Sequence, residues 1–164
     1  MIGAVAMKRL TAATLATSAL VFGASVLVGS SRASSGAQIS YVCSAADKQF
    51  IDTVSSNMMQ LSYWSDALVS RDADPSTVAQ QARAEAAQIG ATRPQDRTLH
   101  ATRDLLGSMF VEYSKAVSTT ASGRDGSIHM KSAWRLANAS HKLLAGARDG
   151  LGRQGCDVSP LLSS

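Results

Sequence analysis

Two cysteines constrain this chain more than any other feature. Cys43 and Cys156 stand 113 positions apart, one shortly after an apolar leader and the other close to the end of the chain. A bond between them would close most of the sequence into one ring, so the fold must bring two distant segments together. In an oxidising compartment, an even pair in a small domain is bridged as a rule. A redox or zinc-binding thiol pair is the rival reading. CxxC spacing is absent, however, and neither thiol has a His or a third Cys near it in sequence.

The leader supplies that compartment. Lys8 and Arg9 form a positive n-region, Leu10 to Gly29 is an uncharged run rich in Ala, Thr, Val and Leu, and Ser35-Gly36-Ala37 offers small residues for cleavage. The expected organisation is a signal peptide over residues 1–37, cut after Ala37, with Met7 as the more conventional start. Residues 38–164 then form one secreted, extracytoplasmic domain. The run is long enough to act as an uncleaved anchor, but its Thr, Ser, Gly and Ala content weakens that reading. After cleavage no stable membrane insertion is expected. A lipidated cysteine is disfavoured because Tyr41-Val42 precede Cys43 in place of a small residue.

Charge points the same way. The formal net charge is +4, yet three of the 16 basic residues, Lys8, Arg9 and Arg32, lie in the leader and all 12 acidic residues follow it. The remainder is close to neutral with alternating signs. It lacks the basic block that phosphate recognition requires, so nucleic acid is not an expected partner.

Four helical segments are legible, each opening on a start signal. Ser44-Ala45-Ala46-Asp47 has capping-box spacing, and Phe50, Val54, Met58, Leu61 and Leu68 then line one face to about Ser70, with Trp64 on its shoulder. Asp74-Pro75 restarts the chain as cap and first helical residue. The second helix, with its stripe Val78, Ala82, Ala86 and Ile89, ends at Gly90. Thr92-Arg93-Pro94-Gln95 repeats the capping-box chemistry before the seam Leu99, Thr102, Leu106, Met109, Tyr113, Ala116 and Thr120. Ser122 to Asp125 starts a fourth helix whose seam reads Met130, Trp134, Ala137, His141 and Leu144. Gly146, Gly150, Gly152 and Gly155 predict its end near Asp149, followed by a Gly-rich tail from about residue 150.

These elements predict an all-α fold: an antiparallel up-down-up-down four-helix bundle with a short second helix, closed by one disulfide. The topology places the start of the first helix and the end of the fourth together, where Cys43 and Cys156 fall. A short second helix cannot cover its neighbours. Either a groove is left near Phe50, Val54, Leu99, His141 and Leu144, or the tail residues Val158, Leu161 and Leu162 fold back over it.

Catalytic and metal constellations are weak. His100, Asp104 and Ser108 share one helical line, but the acid sits between the other two and Ser108 is about 12 Å along the axis from His100. A solvated face with an ion pair to Arg103 or Arg97 explains them. Asp96/His100 and Asp125/His129 have i, i+4 spacing in first turns at opposite ends of the bundle, so they cannot merge into one metal site. Candidate ionisable groups for an enzyme are His100, Asp104, Glu112 and Glu85. No metal or cofactor is expected.

The expected function is therefore non-catalytic binding of a protein or cell-envelope partner. The alternative is an extracytoplasmic carrier of a small apolar ligand such as haem or lipid. Its site would draw on His141, placed in an apolar seam near Trp134, with Tyr63, Tyr113 and Phe50 from other helices.

Overall fold

The computed structural model describes residues 42–163. The expected leader, residues 1–37, lies outside the described residues. Four long helices follow one another: α1 (Ala45–Val69), α2 (Pro75–Ala91), α3 (Arg97–Ala121) and α4 (Ser127–Arg153), with a short α5 (Ser159–Leu162) after them. No strand occurs among the described residues.

Local chemistry sets the boundaries. Ser44 caps α1 by accepting the Asp47 backbone N–H at 3.0 Å, and Asp74 caps α2 by accepting those of Ser76 and Thr77. The start of α3 differs from the sequence expectation. Thr92 donates its hydroxyl to the Ile89 carbonyl at 2.6 Å and so closes α2, while Asp96 caps α3 by accepting from Thr98 and Leu99. The fourth start is also shifted. Ser122 and Gly123 finish α3, and the Asp125 carboxylate accepts from the Ser127 backbone at the head of α4. Gly126 sits between them because a Cβ there would stand 2.5 Å from the Ala116 carbonyl oxygen.

Three helices end in the same motif. After α1, α3 and α4 a residue with positive φ, respectively Arg71, Gly123 and Gly155, turns the chain so that the next N–H returns to a carbonyl of the last turn. The third instance carries Cys156, whose N–H reaches the Leu151 carbonyl at 2.9 Å. Thus α4 continues past Asp149 to Arg153. Added side chains at Gly146, Gly150 and Gly152 would meet open space, and Leu144 and Leu151 pack the other face. Core burial outweighs the low helix propensity of those glycines.

Pairings between neighbours run antiparallel. Asn57 meets Glu85 and Trp64 packs beside Val78 between α1 and α2; Ser114 meets Ala79 and Gly107 faces Ala86 between α2 and α3; Glu112 meets His129 between α3 and α4. The backbones of α2, α3 and α4 lie close together because Ala, Gly and Ser line their contacts. No Cα of α1 comes within 8 Å of one in α4. The disulfide Cys43–Cys156 joins these two outer helices at one end, with a Cα–Cα distance of 4.7 Å.

The core runs through Phe50, Val54, Ile89, Leu99, Leu106, Phe110, Leu144 and Leu151, and the tail contributes Cys156, Val158 and Leu161 to it. A smaller cluster of Val78, Ala79 and Val117, flanked by Trp64 and Leu68, fills the opposite end. The tail folds back, the second of the two expected arrangements: Phe50, Val54, Leu99 and Leu144 are buried, and only a small cleft remains beside Val54, Leu144 and the exposed His141.

Candidate binding surface

The inner face of α4 is Ala133, Ser140, Leu144 and Leu151, with Leu136, Ala137 and Ala147 partly buried beside them. This corrects the expected seam. Met130, Trp134 and His141 are exposed, displaced to one flank by the small residues that let α4 approach α3. His129 marks the α3 side, where Nδ1 lies 2.8 Å from Glu112 Oε2. Met130, Trp134, Ala137 and His141, spaced three or four apart, lie along the other flank, where Ala137 and His141 come beside α1.

A cleft of about 160 Å³ on that side joins Val54 and Met58 of α1 to Ala137, Asn138 and His141 of α4, with Leu161 at its tail end. His141 stands at its lip. The other expected ligand residues do not gather there. Phe50 is sealed in the core, Tyr113 is partly buried with its hydroxyl 2.8 Å from Ser65 Oγ, and Tyr63 is exposed, packed edge-on against Trp64.

Exposed large apolar residues have a distinct distribution. Met59, Tyr63 and Val69 lie in the second half of α1, and Ile128, Met130 and Trp134 in the first half of α4. Antiparallel packing puts these two halves at the same end of the bundle, away from the disulfide. Trp134 is 69% exposed and Tyr63 66%. Elsewhere among the described residues, only Val42 and Val111 are large, apolar and exposed.

The ionisable groups are mostly paired, and Asp104 and Glu112 line, with Arg83, Arg103 and Lys115, an open depression of about 760 Å³ between α2 and α3. Arg103 bonds Asp104 at 2.7 Å and approaches His100 Nε2 at 3.0 Å, which makes the His100/Asp104/Ser108 line a solvated face. Lys115 and His129, both bonded to Glu112, hold its carboxyl below the usual range. Asp96 and Asp125 are spent on helix starts. No group of three or more His, Cys, Asp or Glu side chains suited to a metal ion occurs among the described residues.

Two arrangements involving the candidates Glu112 and Glu85 are not announced by the sequence. The Glu112–His129 pair crosses between helices, so no spacing within either helix announces it. Glu85 is buried on the inner stripe of α2, and burial pushes its carboxyl up to about 7. Its position between Ala82 and Ile89 was the available signal, masked by the polar type of the residue.

Fold and surface thus define a disulfide-closed all-α bundle with an apolar set displayed at one end. No protein-family profile, curated protein or solved structure matches this chain. No helix among the described residues is long and apolar enough to cross a membrane.

Proposed function

We propose that this protein is exported, loses its leader, and acts without catalysis by binding a protein or cell-envelope component through α1 and α4 at the end remote from the disulfide. The observation that carries this reading is the concentration there of exposed large apolar side chains, Trp134 and Tyr63 foremost. Solvated Trp and Tyr give up much apolar area to a partner and dominate interfaces where they occur.

The test passes envelope fractions of producing cells over the immobilised oxidised protein and over its Trp134→Ser and Tyr63→Ser variants. A component held saturably by the wild type, with affinity lowered tenfold or more in either variant and an unchanged melting temperature, is the expected result. Equal retention by all three proteins removes this surface from the function.

The cleft beside His141 supports a second reading, carriage of a small apolar guest. Its 160 Å³ suits a single small ring, whereas haem needs several hundred Å³. Haemin titration followed at the Soret band, with His141→Ala as control, decides it: an unchanged wild-type spectrum ends the haem version.

A further inference from the structure

Glu85 is where sequence and burial conflict most sharply. Its side chain is 1% exposed, and neither carboxylate oxygen has a hydrogen-bond partner. Ionised carboxylates in such a position are unstable unless a cation or donor reaches them.

None does so from any side. At this level α1 presents Asn57, whose amide donates to the Glu85 backbone carbonyl at 3.2 Å and not to the carboxylate. The inner face of α3 presents Leu106, Phe110 and Tyr113, and the Tyr113 hydroxyl is engaged with Ser65. Arg83, on α2 itself, turns the other way and donates to Ser114 Oγ at 3.0 Å. Arg103 is committed to Asp104 and to the Thr92 carbonyl. On α4, His129 faces Glu112 and His141 is exposed. Asp47, the other buried acid, lies on the first turn of α1, away from Asn57, and accepts the N–H groups of Gln95 and Asp96.

We propose that Glu85 is a proton-operated latch on α1: with the carboxyl neutral, α1 closes over α2, and with it ionised, α1 swings outward and admits water to the charge. Helix α1 is the element free to move. Small residues clamp α2 to α3 and α3 to α4, whereas α1 approaches α2 closely at few positions. Its first turn is held by the disulfide and by Asp47, so opening begins at the Val69 end, where the exposed apolar residues lie.

The sign follows from proton linkage. The folded carboxyl titrates near 7 and the unfolded one near the ordinary 4.5, so the folded state retains a proton that the unfolded state has lost. The folding constant is greatest below the ordinary range, falls by up to about tenfold per pH unit as pH rises toward 7, and then levels off.

The experiment compares denaturant unfolding of the full oxidised protein with that of Glu85→Gln from pH 4.5 to 8.5. This variant leaves every other ionisable group in place. Relative to it, the wild-type folding constant is expected to drop by roughly 150-fold across the window. Amide protection in residues 57–69, corrected for intrinsic exchange, should fall above pH 7 in the wild type alone. Parallel stability profiles overturn the proposal, as does a loss of protection spread evenly over all four helices. Should Glu85→Gln fail to fold, carbon-13 titration of the wild-type glutamate carboxyls replaces it. One carboxyl titrating near 7 together with the loss of α1 protection supports the latch, and none titrating above pH 6 overturns it.

Discussion

The two ends of the bundle are built on opposite principles. At the disulfide end, Cys43–Cys156 ties α1 to the tail, Asp47 clasps the head of α3, and Val158 and Leu161 seal Phe50, Leu99 and Leu144 from water. At the other end only Val78, Ala79 and Val117 form a buried cluster, while Val69, Ile128, Met130 and Trp134 face solvent. Covalent linkage and core sealing are concentrated where the segments carrying Cys43 and Cys156 meet. The end that could spare apolar surface for a partner is the one with the least sealing. Separation of this kind lets a small domain display sticky residues without risking its core.

Three changes probe that contrast, taken in order of expected effect. Replacing both cysteines by Ser should cost up to about 4–5 kcal/mol in urea unfolding, because the released loop is long. A loss below about 1 kcal/mol would mean that the disulfide end is held by packing alone. Asp47→Ala should cost about 2–3 kcal/mol, since one carboxylate oxygen accepts from both Gln95 N–H at 2.6 Å and Asp96 N–H at 3.0 Å, while the other accepts from the Ser44 hydroxyl. Protection of the first turn of α3 against amide exchange would report the same loss locally. Arg71→Gly, at the other end, should raise stability by about 0.5–1 kcal/mol. Arg71 holds φ at 66°, a left-handed conformation that glycine adopts without strain. A destabilised Arg71→Gly would show that the α1–α2 turn is fixed by the arginine side chain.

Helix number, order and the cysteine pairing were legible because they rest on strong local signals: Ser44 and Asp74 as caps, Pro75 at a first turn, and large residues such as Phe50 and Val54 on one face. The face of α4 was not. Met130 and Trp134 carry far more apolar area than Ala133 and Ser140, yet the close approach of α3 selects the small residues and expels the large ones. The head of α3 was ambiguous because Thr92 and Asp96 are both good caps, and only the end of α2 decides that Thr92 is already spent. Glu85 was legible as a candidate ionisable group, but its burial was not, because an isolated carboxylate in an Ala-rich helix is ordinarily exposed. The candidate surface lay in those same misread residues: Trp134 was noticed, but as lining for an interior.

The link between Cys43 and Cys156 has a further consequence whenever a protease reaches the chain. The three loops between the long helices all lie inside the covalent ring. One cut in any of them leaves every long helix attached to the rest, so a nicked molecule sheds no fragment. Only a second cleavage can release a piece.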